Sequence, residues 1–248
     1  MFCPTYVINL PKHSYRKKSI IDELNSKNIK FQLIEAIDWE KSNLYSLNNR
    51  LHKNFWDPNG WISYPIICCQ LSHRKAWEEF LNSGEEIGLF LEDDVKVTNN
   101  FDNINLVGFK EDLEYIDWGV CFLGKNWDKL FVGEHIAGEF YEYDYFNNSQ
   151  YAAHSYMLNR KSAYWFYENT EKIKYATDIR LEISPFRTIT TSKSLFIQKH
   201  KYKNPHPEFT STTYINIQDS RLGIIKVEEK KLQFNNKAVT GYNFHFNE

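Results

Sequence analysis

From Ile87 to Val95 the chain reads Ile-Gly-Leu-Phe-Leu-Glu-Asp-Asp-Val, an apolar run of strand length that passes directly into three carboxylates. A short, continuous apolar run of this kind fits a strand buried on both faces, as in the sheets of α/β proteins. Adjacent carboxylates repel one another, so holding three of them at the end of a buried strand costs folding energy. In an extended chain alternate side chains share a face at a spacing of roughly 6.5–7 Å. Glu92 and Asp94 are therefore expected to point into one site, with Asp93 directed away or turned with the loop. Hard oxygen ligands in this arrangement suit Mg²⁺ or Mn²⁺, above all where substrate phosphates complete the coordination. Ligand crevices of open α/β sheets lie outside the carboxyl ends of the strands, which is where this triplet falls. A solvated acidic turn is the plain alternative.

The flanking sequence supplies the rest of such a fold. Tyr6-Val7-Ile8-Asn9-Leu10, ended by Pro11, reads as a first strand. Ser14 is expected to cap a helix running to about Lys27, with Ile20, Ile21 and Leu24 on one face. Phe31 to Ile37 reads as a second strand, which completes a βαβ unit with parallel strands. Residues 38–64 carry no clean period and read as a long loop with at most one short helix. Pro65 suits the first turn of a helix through Ser83, with Ile67, Leu71, Trp77, Phe80 and Leu81 near helical spacing and Gly84 as its stop. Further strands are expected at Trp118–Leu123, His154–Leu158 and Ser194–Gln198, and a helix at Lys161–Glu168. Turn signals at Asn235-Asn236 and Gly241 point to a C-terminal hairpin or a loosely packed tail.

Composition narrows the function classes. A chain of 248 residues with 30 basic and 32 acidic side chains fits one α/β domain and has no surplus of positive charge for binding nucleic acid. Aromatic residues make up 17% of it against a mean hydropathy of −0.58, which fits an aromatic-rich core or cleft and not a membrane-spanning protein. No apolar run approaches the roughly 20 residues that cross a bilayer. The start, Met1-Phe2-Cys3-Pro4-Thr5, lacks the pattern of a secretory signal, so the expected location is cytoplasmic. Cys3, Cys68, Cys69 and Cys121 form no CxxC pair and read as buried reduced thiols.

Leu89-Phe90-Leu91-Glu92-Asp93-Asp94-Val95 resembles the acidic motif of the family-25 glycosyltransferases, a group that includes bacterial lipooligosaccharide galactosyltransferases and collagen galactosyltransferases. Three other landmarks follow that family's order. Val7-Ile8-Asn9-Leu10 with Arg16 is similar to its opening strand and basic residues, and Cys69-Gln70-Leu71-Ser72-His73-Arg74-Lys75-Ala76-Trp77 to its Ser-His helix. Ser155 to Ala163, with Thr177-Asp178 after it, is similar to its later strand, helix and aspartate. The resemblance runs from about Thr5 to Gln198. It implies a single A-type glycosyltransferase domain, α/β and Rossmann-like, with a mixed, mainly parallel sheet over residues 1–203. Residues 204–248 would then be an extension packed on the same domain.

The same resemblance implies Mn²⁺ or Mg²⁺, a nucleotide-sugar donor that is UDP-linked, and inversion at the sugar carbon. Its acceptor would be a hydroxyl of a glycan, glycolipid or glycoprotein, with no transmembrane segment and room for peripheral membrane contact. Glu92 and Asp94 would hold the metal; Asn9, Arg16, Asp38, Ser72, His73 and Asp93 would surround the donor; Asp178 would be the base that takes the acceptor proton. A helix histidine packed near the core, a solvated Arg16 and a capping Asp178 are the structural alternatives. His200 and His206 are further metal candidates set against a plain surface role. Pro11 and Trp39 depart from the family, which commonly has an acidic residue and a glycine there, so galactose is not assumed as the donor sugar. Trp39, Trp56 and Trp61 are expected to line a sugar cleft, with Asn54 and Phe55 on the same acceptor-side loop. Two other functions fit the residues less well: a catalytically silent carbohydrate-binding protein, and a metal-dependent phosphotransferase, which would need Asp where Glu92 stands.

Overall fold

The computed structural model describes residues 3–57, 60, 62–124, 132–143, 153–199, 224–234 and 237–246. The elements in chain order are β1 (Thr5–Asn9), α1 (Ser14–Ser26), β2 (Gln32–Glu35), a 3₁₀ turn (Trp39–Lys41), α2 (Leu44–Asn48), β3 (Asn54–Asp57) and α3 (Tyr64–Ser83). They continue with β4 (Ile87–Glu92), β5 (Val95–Val97), α4 (Asn99–Asp102), α5 (Leu106–Tyr115), β6 (Val120–Phe122), β7 (Val132–Ala137) and β8 (Phe140–Tyr143). The last are β9 (Ser155–Asn159), α6 (Arg160–Glu168), α7 (Thr177–Glu182), β10 (Thr188–Thr191), β11 (Phe196–Gln198), β12 (Ile224–Phe234) and β13 (Lys237–Phe246).

An eight-stranded sheet in the order β2-β1-β4-β9-β6-β10-β8-β7 organises the molecule. β1 is parallel to β2 and β4, and β10 to β6; β9 and β8 run against the other strands, so the sheet is mixed and mainly parallel. Strand alternation sorts the core into two layers. Val7, Leu89, Leu91, Cys121 and Met157 face α1 and α5, meeting Ile20, Leu24, Phe109 and Leu113. Tyr6, Ile8, Phe90, Phe122, Tyr156 and Leu158 face α3 and α6, meeting Trp77, Phe80, Ala163 and Phe166. Much of the aromatic content is therefore core. Tyr6, Phe80, Phe90 and Tyr156 stack or meet edge to face at centroid distances of 5.2–6.1 Å.

Register is what builds the site. Ile8 lies opposite Glu92 and Leu91 opposite Ser155, so Asn9, Asp93 and His154 meet at one rim of the sheet. α3 begins after Ser63 with Pro65 in its first turn and ends at Gly84, which takes a left-handed φ of 79°. At Gly88 a Cβ would stand 2.8 Å from Phe80 Cδ2, so the missing side chain lets α3 lie close on β4.

Several local expectations change. α1 is N-capped by His13 with no side-chain bond, and Ser14 is its first helical residue. The stretch 38–64 holds the 3₁₀ turn, α2 and β3. β3 was invisible to local pattern because its partner is β13, nearly 190 residues away, with Trp56 opposite Asn243 and Phe55 opposite Phe244. Trp56 and Phe55 are fully buried, and the Trp56 indole donates to Lys230 O, so they are core and do not line a cleft. Trp39 is half-buried and stacks on Tyr64. Trp61, His200 and His206 lie outside the described residues. The C-terminal segment forms the β12–β13 hairpin, and Gly241 sits inside β13 opposite Lys230 instead of turning the chain. Among the described residues no helix is long and apolar enough to cross a membrane.

Gly88→Ala is expected to lower stability by about 1–3 kcal/mol in urea unfolding, the usual cost of overpacking. Combining it with Phe80→Leu should cost less than the sum of the single changes, because both act on one contact.

Candidate active site

The acidic triplet sits where β4 ends. Extended backbone stops at Glu92 and residues 93–94 form a turn, so two-residue alternation does not carry through the triplet. Asp93 turns with the loop, the second of the two expected placements, and is the anchored member. Its Oδ2 accepts from Asn9 Nδ2 at 2.7 Å and its Oδ1 from Arg16 Nη1 at 2.9 Å. Arg16 Nη2 stands 3.8 Å from Asp94 Oδ2, so one guanidinium serves two carboxylates.

Asp94 is only 5% exposed, and its Oδ1 is buried with no hydrogen-bond partner among the described residues. Burial first, and then the charge of Glu92, push its carboxyl up to about 7 against the pull of Arg16. Burial also raises Asp93, with Arg16 and Asn9 opposing. Lys199 donates its backbone N–H to Asp94 O at 2.7 Å and its ammonium to Ser19 Oγ, which ties β11 and α1 to the turn. Lys199 lies one residue beyond the last strand read from the sequence, and nothing local marks it.

Glu92 turns the other way, toward α3. His73, 1% exposed, places Nε2 3.4 Å from Glu92 Oε1 and Nδ1 2.7 Å from Tyr156 Oη; Trp77 Nε1 donates to the same hydroxyl at 2.9 Å. Burial raises the Glu92 carboxyl, but the His73 hydrogen bond, with nearby positive charge behind it, outweighs that and holds the group below the usual value. His154 is buried, and its carbonyl accepts the Glu92 N–H at 2.9 Å. Gly124 makes room for it: a Cβ there would stand 2.2 Å from His154 Nε2.

Asp178, read from the sequence as a loop residue, is in the first turn of α7. It is half-buried, and its carboxyl is pushed up to about 7, by burial first and then by Glu182, Asp57 and Glu92. Cys69 lies between the two halves of the site: its thiol is driven up by burial and then by both Glu92 and Asp178, and its Sγ is 4.0 Å from Thr177 Oγ1. The i, i+4 spacing of Cys69 and His73 on one helix was the signal that would have found it. Cys69 Sγ, a ring nitrogen of His73 and a Glu92 oxygen lie within 4.8 Å of one another.

Two expected donor residues are occupied in the fold itself. Ser72 Oγ accepts from Ile37 N and donates to Cys68 O, which pins the chain after β2 to α3. Asp38 caps the 3₁₀ turn by accepting from Glu40 N and pairs with Lys12 at 3.1 Å. Asn9, Arg16, Asp93, Asp94, Glu92 and His73 thus meet in one place. Asp178 reaches the same group from α7, while Ser72 and Asp38 brace its edge.

A carboxyl whose pKa is raised by folding holds a proton that the unfolded chain has lost, so its contribution to stability falls as pH rises from about 4 to about 7. In metal-free protein Asp94→Asn, which removes a buried charge, is therefore expected to melt above wild type at about pH 8, and the gap should shrink toward about pH 5. Melting curves at the two pH values check this.

The family model described as glycosyltransferase family 25 (LPS biosynthesis protein) matches residues 2–181, which span β1, the acidic turn, the His73 helix and most of α7. Procollagen galactosyltransferase 2 of Mus musculus is 28% identical over 134 residues, 50% of this chain and 21% of that protein. Inactive glycosyltransferase 25 family member 3 of Homo sapiens is 28% identical over 132 residues, 50% of this chain and 22% of that protein. The matched region is thus only about a fifth of the length of these relatives. A solved glycosyltransferase involved in glycosylation of the major capsid of PBCV-1 overlaps 81% of this chain and 94% of its own at 14% identity and a TM-score of 0.40, too distant to bear on function. With the family model covering well over half its length, the chain belongs to glycosyltransferase family 25.

Proposed function

We propose that the protein is a metal-dependent, inverting transferase that moves a sugar from a nucleotide-diphosphate sugar to a hydroxyl of a glycan, glycolipid or glycoprotein. The observation that carries this reading is the buried Asp94 Oδ1, without a hydrogen-bond partner among the described residues, next to Glu92 at the carboxyl end of β4. An oxygen buried without a partner costs about 1–3 kcal/mol, more when charged, and a bound cation would satisfy it. Oxygen donors of this kind fit Mn²⁺ or Mg²⁺, with Asp94 and Glu92 as the holding residues. When bound, such an ion neutralises charge that develops on a departing nucleoside diphosphate.

The chain's own residues supply the rest. Arg16, held by Asp93 and in turn held by Asn9, keeps a fixed positive charge beside Asp94 at the rim where a diphosphate would lie. Single displacement with inversion requires a base for the acceptor hydroxyl. Asp178 suits that role because its pKa near 7 lets it be ionised at neutral pH and still accept a proton effectively. UDP as the nucleotide rests on the family resemblance. The acceptor is left at the level of its reacting group, a hydroxyl.

The relatives named inactive favour a second reading, a catalytically silent sugar binder on the same framework. Turnover separates the two. Incubation with a panel of nucleotide sugars and Mn²⁺ should release nucleoside diphosphate, and Asp94→Asn should reduce release by about a hundredfold or more, since the ion is worth several kcal/mol to the reaction. Nucleotide affinity without release in wild type would favour the silent binder. With Mn²⁺ saturating, so that Asp94 is already ionised, transfer should rise with pH through about 7 as Asp178 ionises, and Asp178→Asn should remove that limb and cost about 10²–10⁴-fold in rate.

A further inference from the structure

Trp77, Tyr156 and His73 form a continuous buried line that ends on the half-buried Glu92 at the acidic turn. Each member has a restricted hydrogen-bonding repertoire, so the direction of the line can be worked out. An indole N–H only donates, so the 2.9 Å contact makes Tyr156 Oη an acceptor from Trp77. Tyr156 is fully buried, and its own proton has one acceptor within reach among the described residues, His73 Nδ1 at 2.7 Å. A neutral imidazole that accepts at Nδ1 carries its proton on Nε2. That N–H faces Glu92 Oε1 at 3.4 Å, a long contact at the outer limit of a hydrogen bond.

We propose that Tyr156 is a positioning residue for the acidic site: its hydroxyl, oriented by the Trp77 indole, fixes His73 in the Nε2-protonated tautomer, which then holds Oε1 of Glu92. Glu92 keeps Oε2 without a hydrogen bond among the described residues, directed by a ring that cannot turn over without leaving the Tyr156 proton buried and unpaired. The assignment also separates the two possible metal groups. A histidine nitrogen must be free of its proton to ligate. His73 could join the Cys69, His73 and Glu92 group only by moving that proton to Nδ1 and leaving the Tyr156 proton buried and unpaired, which favours the carboxylates as the cation's ligands. The role assigned to Glu92 rests on the transfer reading above; the tautomer does not.

The test uses ¹⁵N-histidine-labelled, metal-free full-length protein and long-range ¹H–¹⁵N correlation of the imidazole rings, with His73 assigned by the signals missing from His73→Gln. The expected wild-type pattern is an unprotonated Nδ1 and a protonated Nε2. In Tyr156→Phe that pattern should be lost while the other histidine signals stay in place. Its kcat for nucleotide-sugar turnover should drop about tenfold, typical for a group supporting a ligand, with KM changed less than about twofold. A His73 protonated on Nδ1, or on both nitrogens at neutral pH, overturns the proposal whatever the turnover. So does an unchanged kcat in Tyr156→Phe. If wild type turns over no nucleotide sugar, the transfer reading falls and the tautomer pattern alone decides for or against the fixed His73.

Discussion

The repulsion among Glu92, Asp93 and Asp94 is the constraint around which this protein is arranged. Three carboxylates stand at the end of a strand whose preceding residues Leu89, Phe90 and Leu91 are fully buried, and each is supported from a different direction. Asp93 is neutralised by Asn9 and Arg16 from the β1–α1 side, and Glu92 is faced by His73 from α3. Asp94 shares the Arg16 charge at a longer distance and keeps one oxygen unsatisfied. The order β1-β4-β9 in the sheet is what lets all of these groups arrive at one rim.

That division of labour explains why a stable fold can carry an unstable site. Where the acids are fully partnered, as at Asp93, they tie β1, α1 and β4 together. On Asp94 one buried oxygen has no partner among the described residues, and with the raised pKa it marks stored cost, the usual signature of a group kept ready for a ligand. Asp178 on α7 shares the raised pKa but not the orphaned oxygen, since its Oδ1 accepts from Ile179 N, and Cys69 stands near both it and Glu92.

Legibility in the sequence followed the range of the interactions. Elements stabilised by their own periodicity, such as α3 with Trp77 and Phe80 on one face, or by local punctuation, such as Gly84, were readable to within a residue or two. So was the acidic turn, because a buried strand followed by charge is a local contradiction. β3 was not readable, since Phe55 and Trp56 become a strand only by pairing with β13, and aromatic residues in a polar stretch look like ligand-binding groups until that partner is known. Asp93 follows the alternative in which it turns with the loop, and its bonds to Asn9 and Arg16 were not legible because they join residues 84 and 77 positions apart. Tyr156 and Trp77 were visible only as core residues; their polar atoms gain meaning from a contact 79 residues apart in sequence.

The central claim is that Glu92 and Asp94 form a cation site completed by a diphosphate. Calorimetric titration of uridine diphosphate into the protein with Mn²⁺ and with EDTA tests it most directly. The account predicts binding with Mn²⁺ that weakens by about tenfold or more in EDTA and in Asp94→Asn, the loss of an ion-mediated phosphate contact. Equal affinity with and without Mn²⁺ in wild type would contradict it.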